Sequence, residues 1–180
     1  MKTGENNDSY PKMKTNLVAI YHHPGLQRLF NEIGRQDHRT LVLWAIDTGR
    51  EILEIYERTF PEDPRPGQAL EAAEAWSRRE IKMPVAKRFA KETHQAASEG
   101  KADSTVGLSE RNAAAAAAHA MGQIIGVVHV GTHSTAYAAY AVQALVIRNA
   151  ESDPEITLVK AVDYLSNRLA FWASSNKDKG

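Results

Sequence analysis

The stretch HAMGQIIGVVHVGTHSTAYAAYAVQAL, residues 119–145, decides the fold. It contains three histidines and three glycines but no lysine, arginine, aspartate or glutamate. Gly131 suits the left-handed position that follows many helices, and the hydroxyl of Thr132 or Ser134 suits the cap of a following helix. We therefore predict two helices that meet at a corner at Gly131–Thr132, which makes this stretch an alanine-rich hairpin.

Two other interpretations of this stretch fit the residues less well. The uncharged run from Asn112 to Ile147 is long enough for one tilted membrane span, but alanine contributes little transfer energy and the histidines and glutamines oppose insertion. The segment GQIIGVVHVG has no lysine where a phosphate loop requires one. Gly122 and Gly126 stand four residues apart, which favours closely packed helices over a ligand site. We predict a buried helical hairpin.

The rest of the chain also has helical periodicity. The apolar stripes and the caps predict helices over about 24–33, 38–60, 66–79, 84–99, 110–130, from the cap Thr132 or Ser134 to about 149, and 154–173. Asp37, Ser109 and Asp153 are the predicted caps, and Pro24, Pro66 and Pro84 suit first turns. IIGVVHV (124–130) is the best candidate strand, but it has no partner strand. The sequence predicts an all-α, compact bundle of six or seven helices.

Composition narrows the function classes. The 180 residues contain 22 basic and 22 acidic side chains, so no general attraction to nucleic acid or to an anionic membrane is expected. The absence of cysteine excludes disulfides, thiol nucleophiles and zinc–thiolate sites. The first residues lack the apolar core of a signal peptide, so we expect a cytoplasmic protein. We predict a flexible segment at 1–16, one helical domain at 17–173 and a flexible tail at 174–180.

The histidines admit three interpretations. His129 and His133 are four apart, as in HExxH, but VGT between them carries no glutamate and the predicted corner separates them. A metal site with His119 as a third ligand, or acid–base chemistry at these residues, therefore has weak support. The alternative that we favour is a structural polar corner of His129, Thr132 and His133, with both rings satisfying backbone groups at a buried helix–helix corner.

Two charged residues, Asp47 and Arg50, interrupt the apolar pattern of the helix predicted at 38–60. They form either a buried pair or part of a solvated face, and the solvated face is favoured. No serine stands in a GxSxG context, so no nucleophile is indicated.

Two segments resemble a known family. WAIDTGREILEIYERTFPEDPRPGQALEAAEAWSRREI (44–81) resembles the helix, proline-rich turn and Ala/Trp helix of bacterial immunity proteins of the immunity-protein-five-like group, which is associated with polymorphic toxin systems. AAAHAMGQIIGVVHVGTHSTAYAAYAVQAL (116–145) resembles the alanine-rich segment of that group. Asp47, Trp76, His129 and His133 fall in step with the pattern.

The resemblance implies an all-helical cytoplasmic protein that binds and neutralises a cognate toxin. Such a protein needs a complementary surface and not a catalytic constellation, so we expect no enzyme activity and no cofactor. Two alternatives remain open at this point. One is a helical scaffold or self-associating protein, and the other is a metal-binding protein or small enzyme centred on His119, His129 and His133.

Overall fold

A computed structural model describes residues 14–149 and 153–177, which form eight α-helices, one 3-10 turn and no strand. The helices are α1 (Leu17–Tyr21), α2 (Pro24–Ile33), α3 (His38–Thr59), α4 (Arg65–Ser77), α5 (Met83–Ala102), α6 (Leu108–His129), α7 (Ser134–Arg148) and α8 (Pro154–Lys177), and the 3-10 turn is Gly131–His133. The predicted all-α fold is confirmed, and the candidate strand 124–130 is helical as far as His129, the last residue of α6. The extra helix, α1, has five residues, too few for a periodic pattern to reveal it.

The predicted flexible ends fall largely outside the described residues. Residues 1–13 and 178–180 are not described, so flexibility there stays a prediction. Asn16, which belongs to the predicted N-terminal segment, caps α1 by accepting a hydrogen bond from the Ala19 amide at 2.9 Å. α8 continues to Lys177, four residues beyond the predicted end of the helical domain.

Most helix starts follow the predicted chemistry. Asp37 accepts from the Thr40 amide at 2.9 Å and caps α3, and Asp153 accepts from the Glu155 amide at 2.8 Å and caps α8. Helices α2, α4 and α5 each carry a proline at one of their first two positions, where the missing amide hydrogen costs nothing.

The predicted cap of α6 is wrong. The residue before α6 is Gly107, and no side chain caps the helix. Ser109 lies inside the first turn, and its hydroxyl donates to the Ile147 carbonyl oxygen, 3.3 Å away on α7. Because Ser109 lies within the helix, it has helical backbone angles. A capping residue needs an extended backbone conformation instead.

The corner between α6 and α7 forms where it was predicted, but its backbone differs. No described glycine has a positive φ, so the prediction of a left-handed Gly131 is wrong. Val130 turns the chain instead, with an extended backbone at φ −146° and ψ 122°. The 3-10 turn then leads directly into α7, so neither Thr132 nor Ser134 caps it. Ser134 is fully buried, and its hydroxyl has no hydrogen-bond partner among the described residues.

Helix α6 occupies the centre of the bundle. It packs against α3, α4, α5 and α7, and all six alanines from Ala113 to Ala118 are buried. The alanines allow four neighbours to approach one helix closely, so the predicted alanine-rich hairpin of α6 and α7 is central. Within residues 14–149 and 153–177, every helix is too short or too polar to cross a bilayer.

Larger side chains close the core on the α3 side. Trp44 donates its indole N–H to the Leu165 carbonyl oxygen at 3.0 Å and meets the Tyr137 ring edge-to-face at 5.3 Å. The Tyr137 hydroxyl lies 2.6 Å from the Thr48 hydroxyl. Because Trp44, Thr48 and Tyr137 are fully buried, these bonds satisfy polar groups that water cannot reach.

Candidate functional site

The predicted polar corner of His129, Thr132 and His133 lies at the surface. All three residues are exposed, so the predicted burial is wrong. The His133 ring hydrogen-bonds to a side chain, with its Nδ1 2.9 Å from Gln123 Oε1. Val130, which joins α6 to the 3-10 turn, has an extended backbone and is itself exposed. A structural role for these three residues stays a prediction.

His119 belongs to a different place. It lies ten residues before His129 on α6, which is about 15 Å along the helix axis. The candidate metal set of His119, His129 and His133 is therefore not assembled. Across the described residues, no three or more histidine or carboxylate side chains are arranged to hold a metal ion.

The structure brings His119 to His94 of α5. Their Nδ1 atoms are 3.1 Å apart, and the His119 ring lies against the Tyr140 ring of α7 with a centroid distance of 5.0 Å. One imidazole of such a pair donates its N–H and the other accepts, which requires that the accepting ring be neutral. Burial lowers the pKa of His119 to about 4, with further lowering by the charges of His94 and Lys101. Burial also lowers the pKa of His94.

The two helical glycines make room for imidazole rings. A methyl group on Gly122 would lie 2.6 Å from His94 Cε1, and one on Gly126 would lie 2.6 Å from His133 Cγ. The sequence correctly indicates close packing at the two glycines. The nearest atoms, however, are imidazole side chains and not a neighbouring helix backbone.

Two other histidines satisfy free backbone groups. His38, at the start of α3, donates from Nε2 to the Val127 carbonyl oxygen at 2.8 Å, in the last turn of α6. His23 accepts the Gly25 amide on Nδ1 at 3.1 Å and bonds Glu155 Oε1 through Nε2 at 2.9 Å. The role predicted for His129, donation to a free carbonyl in the last turn of α6, is therefore performed by His38, which is 89 residues from Val127 in the chain.

Asp47 is joined to α8 and not to Arg50. It accepts from Arg168 Nε at 2.7 Å and from the Trp172 indole N–H at 3.0 Å. Arg50 points elsewhere and pairs with Glu74 of α4 at 2.7 Å. The favoured expectation of a solvated face is thus wrong for Asp47, which is half-buried. Helix α8 covers this side chain, and α8 is too far from Asp47 in the sequence for residue spacing to reveal the contact.

The proline-rich turn 61–66 contains a second polar network. Asp63 accepts the Tyr56 hydroxyl at 2.6 Å and two Arg65 side-chain N–H groups at 2.9 and 2.7 Å. Arg65 also donates to Glu99 of α5 at 2.6 Å. The Arg65 guanidinium and the Tyr56 hydroxyl together hold the pKa of Asp63 at about 2. The hydrogen bond from Arg65 to Glu99 connects the turn to α5, so the network stabilises the fold.

A surface pocket of about 540 Å³ lies between the start of α3 and the end of α4. We call it the Trp76 pocket, and its lining residues are His38, Arg39, Val42, Leu43, Trp76, Ser77, Arg79, Ile81 and Lys82. Arg79 is the one non-glycine residue of the described chain with a positive φ, at 64°. It follows the last turn of α4. There the Glu80 amide donates to the Ala75 carbonyl oxygen, a helix-ending hydrogen bond in which the left-handed position is usually occupied by glycine.

Most of the chain matches the model of a known protein family. The model of a family described as "Imm-5 like putative immunity protein" matches residues 31–167. The chain belongs to this family. Neither a curated protein nor a solved structure matches the chain.

The matched range of the Imm-5 like family contains the residues that carried the resemblance. Asp47, the turn 61–66 and the corner histidines all lie within it, and so does every residue of the Trp76 pocket. Arg168 and Trp172, the partners of Asp47, follow directly after it. The proline-rich turn and Asp47 are engaged within the fold. Trp76 is different, because it is only partly buried and lines an open pocket.

Proposed function

We propose that this Imm-5 like protein binds and neutralises a cognate bacterial toxin through its surface, in the cytoplasm and without catalysis. The observation that carries the proposal is the family match, which covers all of α3 to α7, the end of α2 and more than half of α8. Immunity in the family's description implies a toxin as the partner.

The polar side chains support a binding role over a catalytic one. Asp47, Asp63, His38 and His23 are all engaged with neighbouring helices or backbone groups. These contacts stabilise the fold and hold each group against a neighbouring helix or a backbone group. Recognition of a protein needs shape and charge complementarity, which a rigid helical bundle supplies.

The test uses the gene next to the one that encodes this chain. We expect that gene to encode a large secreted protein, whose C-terminal domain is expressed from an inducible promoter, alone or together with this protein. We expect the domain to stop growth, co-expression to restore it, and the two proteins to co-purify in a stoichiometric complex. An unrelated helical protein expressed at the same level is the control. Growth arrest that persists despite abundant soluble protein would contradict the proposal.

The same assay separates binding from chemistry at the histidines. A variant with His94→Gln and His119→Gln, expressed as folded protein, should still protect the cells. Loss of protection by a variant that melts like the wild type, with the complex still formed, would favour the alternative of a histidine-centred enzyme.

A further inference from the structure

We infer that the Trp76 pocket is the surface that docks the toxin, and that the toxin presents to it an acidic segment with an apolar side chain. The inference rests on the proposed function and names the surface and the chemistry of recognition. Three independent features of the pocket support it: its unpaired positive charge, its apolar floor and the backbone of Arg79.

The charge of the pocket is positive and uncompensated. Arg39, Arg79 and Lys82 are exposed, and none forms an ion pair with a residue of the described chain. Among the residues that the structure describes, no carboxylate lines the pocket, and the nearby Asp37 is occupied by the Thr40 amide and hydroxyl. Just outside the pocket the basic side chains are paired, because Glu74 forms ion pairs with Arg50 and Arg78.

The surrounding sequence extends this positive region. Of the six basic residues between 78 and 91, Arg78 pairs with Glu74 and Glu80 and Arg88 pairs with Glu92. The other four, Arg79, Lys82, Lys87 and Lys91, form no ion pair with a described residue. A local excess of one sign attracts a partner surface of the opposite sign and raises its association rate. The charge distribution therefore selects carboxylates on the partner.

The floor of the pocket is apolar and partly open. Leu43, Trp76 and Ile81 are each only partly buried, and the Trp76 ring is 6.5 Å from the His38 ring. Half-buried tryptophan in a concave site, surrounded by arginine, is typical of the residues that dominate binding energy in protein interfaces. A pocket of about 540 Å³ accommodates an apolar side chain of a partner.

The backbone at Arg79 points in the same direction. Its φ of 64° is a conformation that glycine adopts without strain and that other residues avoid. Folding alone therefore favours glycine at this position. The arginine instead places a guanidinium at the rim of the pocket, where it contacts no acidic group of the described chain. Strained residues of this kind concentrate at binding sites.

The experiment measures affinity for the purified toxin domain by calorimetry at two salt concentrations. The pocket variant carries Arg39→Glu and Lys82→Glu, and the matched control carries Arg148→Glu and Lys160→Glu. All four residues are exposed and lack an ion pair within the described chain, and both variants have the same net charge. We expect the pocket variant to lose affinity by about 30-fold or more and the control to change by less than about threefold. The wild-type affinity should fall as salt is raised.

A second variant, Arg79→Gly, keeps the test independent of folding. It should weaken toxin binding while the protein melts at the same temperature as the wild type or higher. If the wild type binds the toxin domain and both pocket variants bind equally well, the inference is wrong and the proposed function stands. If the wild type neither binds the toxin domain nor protects cells from it, the proposed function is wrong. The inference, which rests on that function, is then wrong as well. Binding of a short DNA duplex that the pocket variant loses and that competes with the toxin would assign the pocket to phosphates, and would also overturn the inference.

Discussion

The substitution Gly122→Ala should destabilise the protein even though alanine is the better helix former. In an open helix interior this change is worth about 1 kcal/mol in favour of alanine. At Gly122 the added methyl group would lie 2.6 Å from Cε1, 2.8 Å from Nε2 and 3.0 Å from Nδ1 of the His94 ring. The ring is half-buried and bonded to His119, so it has to move as a whole.

The sign of the change in the free energy of unfolding depends on the balance between the cost of overpacking and the gain in helix propensity. Overpacking costs about 1–3 kcal/mol, and loss of the bond between the two imidazoles adds about 0.5–1.5 kcal/mol. After the gain in helix propensity is subtracted, the free energy of unfolding should fall by about 0.5–3.5 kcal/mol. Urea unfolding followed by circular dichroism at pH 7 measures this difference.

A matched control lies in α4. A methyl group on Gly67 would be 3.6 Å from the nearest atom, Glu57 Oε1, which is an ordinary contact. Gly67→Ala should therefore stabilise the protein by up to about 1 kcal/mol. The double variant with His94→Ala removes the obstructing ring, so Gly122→Ala should become stabilising in that background. If Gly122→Ala stabilises the wild type as much as Gly67→Ala does, or if the double-mutant cycle shows no coupling, the packing argument is refuted.

Three further predictions test other parts of the molecule. Arg79→Gly should raise the free energy of unfolding by about 1 kcal/mol in urea titrations because glycine relieves the left-handed strain, and a loss of stability would contradict this. Burial lowers the pKa of His119 from 6.5 to about 4, so the folded state binds fewer protons than the unfolded state and stability should decline as pH falls through that window. Thermal melts of His119→Phe should show a shallower decline, and identical slopes would argue against it. Asp63→Asn should cost about 1–3 kcal/mol at pH 7, because Arg65 and Tyr56 lose a charged partner. Since the pKa of Asp63 is lowered from 3.8 to about 2, the difference from the wild type should shrink as pH falls from 3.8 toward 2, and a constant difference in urea titrations would be inconsistent with it.

The sequence by itself determined the helical class and most helix boundaries of this protein. Apolar spacing, the caps Asp37 and Asp153, and the prolines at helix starts are local signals, and a helix is built from local hydrogen bonds. The uncharged alanine-rich segment likewise indicated the central hairpin. These features require knowledge only of residues a few positions apart.

Only the tertiary structure decided which side chains meet. His94 and His119 are 25 residues apart in sequence, His38 and Val127 are 89 apart, and Asp47 and Arg168 are 121 apart. Such partners depend on how each helix is rotated and where it crosses its neighbours. Periodicity defines the buried face of a helix but not the residue that it faces.

The polar corner and the Trp76 pocket show the same division. The sequence located the turn between α6 and α7 but placed its histidines inside, because the direction of the turn depends on the backbone of Val130. The pocket was not predicted, although Trp76 was noted and the basic run is visible in the sequence. Its concave shape exists only where the start of α3 and the end of α4 converge, and the left-handed backbone of Arg79 becomes evident only in the folded chain.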